Sequence, residues 1–174
     1  MVQRQPTQVE KPLRDDDFIV SKTDLKGRIT YGNQTFALYA GLTEAEFLGQ
    51  PHNLIRHPDM PRGVFKLLWD TIANGKEIFA YVKNMSKDGS YYWVFANVTP
   101  SYDASGQLVG YYSVRRKASN KGIATITQIY RQMQQIEQSS PSQKDGMERS
   151  LAWVGEQLQG MGVTYEQLVL SLQE

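Results

Sequence analysis

Ile78-Phe-Ala-Tyr-Val-Lys-Asn-Met85, Lys87-Asp-Gly-Ser90 and Tyr91-Tyr-Trp-Val-Phe-Ala-Asn-Val-Thr99 decide the fold. The flanking runs are rich in β-branched and aromatic residues, which suit a pleated, half-buried surface. Asp-Gly between them is a strong hairpin signal. Along the second run Tyr92, Val94, Ala96 and Val98 alternate with Tyr91, Trp93, Phe95 and Asn97, so each set takes one face of a strand. The small residues Ala96 and Val98 leave room for a ligand on their face. The opposite stripe, with Trp93 and Phe95, needs a cover, from C-terminal helices, the N-terminal arm or a second subunit.

Working outward, Tyr102-Asp-Ala-Ser-Gly106 makes a turn into a last strand, Leu108 to Arg115. Upstream, Phe18 to Thr23 and Arg28 to Tyr31 flank the turn signal Asp24-Leu-Lys-Gly27 and form another hairpin. Between the two hairpins, Asn33 suits the N-cap of a short helix. Thr43-Glu-Ala-Glu46 has capping-box spacing. Asp59, with Pro61 behind it, is positioned to start a third helix carrying Val64, Phe65, Leu68, Trp69 and Ile72. The expectation is an α+β domain: a five-stranded antiparallel sheet with inserted helices and a ligand space between the layers.

Residues 1–15 read as a flexible arm, residues 16–120 as the sensor-sized domain, and residues 121–174 as a helical C-terminal extension. In the extension, apolar stripes at helical spacing run from Ile123 to Ile136 and from Met147 to Leu158. Thr164-Tyr-Glu-Gln167 has capping-box spacing for a final helix. Such stripes must bury against their own domain, each other or a partner.

The 174 residues include no cysteine, which removes disulfides, thiolate metal sites and cysteinyl photoadducts. The net charge of +1 gives no bias toward nucleic acid or membrane lipid. No apolar run approaches the ~20 residues of a membrane span, and the polar N-terminus lacks a signal peptide's core. A cytoplasmic protein without direct membrane insertion is expected. His52 and His57 match no metal pattern. No serine elbow, phosphate-cradling glycine loop or persuasive carboxylate pair points to an enzyme.

Thr23-Asp-Leu-Lys-Gly-Arg-Ile-Thr-Tyr-Gly-Asn33 resembles the start of a PAS domain. Gln50-Pro-His-Asn-Leu-Ile-Arg-His-Pro-Asp-Met-Pro-Arg62, with Trp69 downstream, narrows the resemblance, as do Val82-Lys-Asn84, Lys87-Asp-Gly89 and Tyr92-Trp-Val94. Together they resemble the sensory PAS domain of bacterial aerotaxis receptors over about residues 14–120. The resemblance stops at the helical extension, so a detached sensor module is expected. It implies non-covalently bound FAD, a redox or oxygen-linked signal, a homodimer, and a chemotaxis or other signalling partner. The matching positions are Asn33, Arg56, His57, Asp59, Trp69, Asn84 and Tyr92. One departure is Gly75-Lys-Glu-Ile78, where the family commonly has Gly-Glu-Pro-Trp, so an aromatic wall is lost at Ile78.

Five of these residues also have a plainer reading. Arg56 suits phosphate through its planar fork, yet a lone arginine is usually a solvated charge. His57 donates to a ligand, titrates or caps a helix. Asp59 is most simply an N-cap. Trp69 is core or cofactor wall. Asn84, expected on a central strand facing the helices, is a buried amide or one that answers ring reduction by rotating, since an amide both donates and accepts. A PAS domain holding haem or another small ligand, and a ligand-free docking adaptor, are the competing readings.

Overall fold

A computed structural model describes residues 5–174. Five strands, β1 (Ile19–Thr23), β2 (Ile29–Gly32), β3 (Ile78–Met85), β4 (Tyr91–Tyr102) and β5 (Leu108–Lys117), form one antiparallel sheet in the order β2-β1-β5-β4-β3. Three helices lie between β2 and β3: α1 (Gln34–Ala40), α2 (Glu44–Phe47) and α3 (Arg62–Ala73), with a single 3-10 turn at His52–Ile55. Three more follow the sheet: α4 (Asn120–Gln138), α5 (Gln143–Met161) and α6 (Tyr165–Gln173). The fold is α+β, as the strand and turn signals imply.

Local chemistry sets the boundaries. Asn33 caps α1, its Oδ1 accepting from the Phe36 N–H at 2.9 Å and the Val20 N–H at 3.0 Å, while its Nδ2 donates to the Phe18 carbonyl at 2.8 Å. It therefore ties α1 to β1. Thr43 and Glu46 close a capping box on α2, and Thr164 and Gln167 close another on α6.

Two expectations are corrected. Asn84 is not on a central strand: β3 is the sheet edge, because β1 inserts beside β5 and leaves β3 paired only with β4. The edge is partly covered where Arg56 bridges Asn84. Nor does Asp59 cap α3, which begins at Arg62 after Pro61. Instead, the Glu137 carboxylate of α4 accepts from the Arg62 and Gly63 N–H groups, both at 2.8 Å. A carboxylate there also meets the positive end of the helix dipole.

The two faces of β4 divide as the alternation requires. Tyr92, Val94, Ala96 and Val98 are buried toward α1–α3. On the other face Phe95 is buried against Tyr81 and Phe79, and Trp93 stacks on Tyr130 of α4 at 6.5 Å. The Tyr130 hydroxyl donates to the Tyr81 carbonyl at 2.7 Å, and the Tyr81 hydroxyl to Gln173 of α6 at 3.0 Å. The C-terminal helices cover the aromatic stripe. Residues 1–4 of the N-terminal arm lie outside the described residues. The rest of the arm runs beside the β3–β4 hairpin: the Thr7 N–H donates to the Gly89 carbonyl (2.8 Å), the Lys11 N–H to the Tyr91 carbonyl (2.7 Å), and Leu13 is buried.

Candidate functional site: a cationic cavity beneath the sheet

Between the layers lies a cavity of about 510 Å³, open to solvent on one side, within the range of roughly 300–1,000 Å³ usual for ligand pockets. Its sheet side is made by Val82, Ala96 and Val98, and its helical side by Phe65, Leu68, Trp69 and Ile72 of α3. Tyr111 of β5 stands edge-on to Trp69, with centroids 5.6 Å apart. Trp69 reaches over the chain at Gly27, where φ is +75° and a Cβ would lie 2.7 Å from the indole. Only glycine meets both demands there without strain. Phe65, Trp69 and Tyr111 thus supply aromatic surface, while Ile78 packs behind them with Leu68, Ile72 and Tyr111.

The polar lining has one sign. Lys26, Arg56, Arg62, Lys66 and Arg115 line the cavity, and no Asp or Glu does among the described residues. Lys66 is paired with Asp70 at 2.7 Å. Arg56 donates to the Met60 carbonyl at 2.8 Å and lies 4.3 Å over the Phe65 ring. Burial and then the neighbouring Arg62 charge lower its pKa, with Glu137 opposing. Thr23 Oγ1, Ser113 Oγ and an Arg115 guanidinium nitrogen, all from lining residues, are buried without a hydrogen-bond partner. Buried polar atoms are nearly always paired. Three such atoms around one space are open to hydrogen bonds from whatever occupies it, water or ligand.

Arg115 and His52 form the innermost polar cluster. Arg115 is 4% exposed. Its Nη2 donates to Ser21 Oγ at 2.8 Å and to His52 Nε2 at 2.7 Å. Ser21 Oγ also lies 3.0 Å from His52 Nε2. A nitrogen accepting from a guanidinium carries no proton, so the His52 ring is neutral with its proton on Nδ1. Burial, and then the Arg115 charge, push the His52 pKa down to about 3. Burial lowers that of Arg115 to about 10, which leaves it charged at neutral pH.

Of the residues singled out in the sequence, Arg56, Trp69 and Asn84 line this cavity. The others lie around it. Asn33 caps α1. Tyr92 is buried against Tyr39, 5.4 Å between centroids, with its hydroxyl unpaired. Burial raises its pKa, against the opposing pull of the Arg115 charge. His57 and Asp59 occupy the loop that wraps the β3 edge. There His57 Nδ1 accepts from the Asp59 N–H at 3.0 Å, and Asp59 pairs with Lys83 at 2.6 Å. His57, Arg56 and Arg62 also line a second cavity of about 570 Å³, which shares Asn53, Arg56 and Arg62 with the first. Sequence reading missed Ser21, His52, Ser113 and Arg115 as a group. The available signal was parity: Tyr111, Ser113 and Arg115 alternate along one face of β5.

This architecture defines a class of α+β domain, a five-stranded antiparallel sheet with three helices inserted between its second and third strands. The PAS fold family matches residues 29–115, and the chain belongs to that family. It is 42% identical over 125 residues to the aerotaxis receptor of Escherichia coli (strain K12), covering 72% of this chain and 24% of the receptor. It is 29% identical over 100 residues to a nitrogen fixation regulatory protein of Klebsiella pneumoniae, covering 58% of this chain and 20% of that one. The chain therefore spans about a quarter or less of the length of these relatives. Among solved structures, a light-oxygen-voltage domain studied with a flavin analogue superposes with a TM-score of 0.56 at 22% identity, over 66% of this chain and 86% of that one. The photo-excited blue-light photoreceptor Vivid superposes at 0.53 and 21% identity, over 66% and 88%. These two likenesses show the fold alone.

Proposed function

We propose that the chain is a cytoplasmic PAS sensor that binds FAD non-covalently and reports redox or oxygen-linked state to a signalling partner through α4–α6, as a homodimer. The observation that carries this reading is the cavity itself: an aromatic-walled space lined by cations, with three orphaned buried polar atoms at its edge. A flavin has the matching chemistry, a planar apolar ring with a hydrogen-bonding rim and an anionic pyrophosphate. When bound, it would supply reversible electron transfer.

The chain's own residues divide the work. Phe65, Trp69 and Tyr111 exclude water from the ring. Arg56, stacked on Phe65 and flanked by Arg62, offers planar cationic donors suited to phosphate. Asn84, 4% exposed, presents an amide able to donate or accept. The second cavity continues past Arg56 and Arg62, which favours a dinucleotide over a mononucleotide. A haem reading needs a free axial nitrogen. His52 Nε2 is taken by Arg115 and Ser21, and His57, whose Nε2 is unpaired, lines the second cavity and not the main one. In a ligand-free adaptor Thr23, Ser113 and Arg115 would be left to water in the cavity.

The visible spectrum of the purified chain, supplemented with FAD, tests the proposal together with the mass of the heat-released cofactor. Flavin bands and the mass of FAD are expected. A colourless chain that retains nothing after supplementation would remove the sensor reading, and a Soret band would replace it with haem.

A further inference from the structure

Arg115 presents an unusual electrostatic situation. It is a buried cation whose two hydrogen-bonded neighbours, Ser21 and His52, are both neutral. No Asp or Glu among the described residues pairs with it, and its second terminal nitrogen is buried without a partner. Burying a charge is costly unless something compensates it. A structural arginine on a sheet would be expected to meet a carboxylate. This one is instead braced by two acceptors on one nitrogen and lines the cavity with the other unsatisfied. The Phe36 ring, 5.9 Å from the guanidinium carbon, offers only the weak attraction of a π face, so the rest of the compensation must come from what enters the cavity.

We propose that Arg115 supplies an uncompensated positive charge that favours the reduced, more electron-rich form of bound flavin over the oxidised form. This rests on the flavin reading above and adds to it the group that sets the redox poise. Two-electron reduction of a flavin ring with uptake of one proton leaves it one negative charge richer. The electrons come from a reduced electron carrier in the cell, or from dithionite in the test. A fixed cation in a water-poor site interacts far more strongly with that added charge than it would in water, and it needs no reorganisation when the charge arrives. Ser21 and His52 are positioning residues: they hold the guanidinium without neutralising it.

The test is a reductive titration of the FAD-loaded full chain against a reference dye, with free FAD titrated in the same buffer. The bound flavin is expected to have a midpoint potential above that of free FAD, because the reduced form binds at least tenfold more tightly. That corresponds to about 30 mV for a two-electron couple. A bound potential equal to or below the free value overturns the proposal without any mutation. Arg115→Gln, which keeps hydrogen-bonding atoms but no charge, is expected to lose the tenfold preference, while Arg115→Lys retains most of it. Arg115→Gln with flavin bound at an unshifted potential overturns the role of Arg115 and leaves the flavin reading standing. A wild-type chain that binds no flavin in either state overturns both.

Discussion

His52 has two electrostatic reasons to stay neutral: it is packed under the sheet, and its Nε2 accepts from a guanidinium. The consequence for stability has a definite sign. In the folded chain the pKa lies at about 3, and in the unfolded chain near the ordinary value of about 6.5. Between those values the unfolded state binds a proton that the folded state does not. Stability is therefore present above about pH 6.5 and is lost as pH falls toward 3. His57 is shifted in the same direction, by burial and then by Lys83. The depressed carboxylates Asp17, Glu46 and Asp88 act lower, between their unfolded values near 4 and about 2. The window from about pH 6.5 to 4.5 thus belongs to the histidines. Urea denaturation at pH 7.5, 6 and 5 should show stability declining with acidity. His52→Gln should flatten the slope by up to about 1.4 kcal/mol per pH unit. Equal slopes for the two proteins would mean that His52 is protonated in the folded chain.

At the scale of elements, α3 carries the cavity residues Phe65 and Trp69, and its first turn is capped from α4. Glu137 accepts from the Arg62 and Gly63 N–H groups and from the Ser150 hydroxyl of α5 at 3.0 Å. One carboxylate therefore joins three helices. Gly63 permits the approach: a Cβ there would stand 2.5 Å from Ser150 Oγ. Glu137→Ala should cost about 1–2 kcal/mol, the usual loss for a helix cap, and should weaken flavin binding through misplacement of α3. Thermal denaturation and an FAD titration measure the two effects. An unchanged midpoint would show that water replaces the carboxylate without loss. The elements themselves were readable from short-range chemistry. The Asn33 cap on Phe36, Thr43 with Glu46, Thr164 with Gln167 and the Asp-Gly turn act within four residues of themselves. The cap on α3 was not readable, because its acceptor lies 74 residues from Gly63. Asp59, beside Pro61, offered a local substitute that the folded chain gives to Lys83. Arg115 was hidden for the same reason: beside Arg116 and Lys117 at a strand end, it reads as a solvated charge until the β1–β5 register turns it under the sheet.

Over the whole molecule, the C-terminal helices touch both layers of the cavity. On the sheet, Tyr130 bonds the Tyr81 carbonyl and Gln173 bonds the Tyr81 hydroxyl. On the helical side, Glu137 caps α3, and Met147 of α5 lines the cavity. Gly122 at the start of α4 lies so close that a Cβ would meet the Tyr81 hydroxyl at 2.2 Å. A displacement of β3 relative to α3 cannot leave both attachments undisturbed, because close-packed interiors transmit strain. Asn84 stands on β3 and Trp69 on α3, so under the proposed flavin reading a change in the ligand's charge would act across that same gap. Hydrogen exchange of the FAD-loaded chain, oxidised and then reduced with dithionite, reads the effect amide by amide. Exchange in α5 and α6 should change at least fivefold, about 1 kcal/mol in local opening, while the β1–β5 centre of the sheet stays protected. Identical exchange throughout residues 121–174 would detach these helices from the signal. The route would then have to leave the domain elsewhere, for example through the N-terminal segment, whose backbone bonds the β3–β4 turn at Gly89 and β4 at Tyr91.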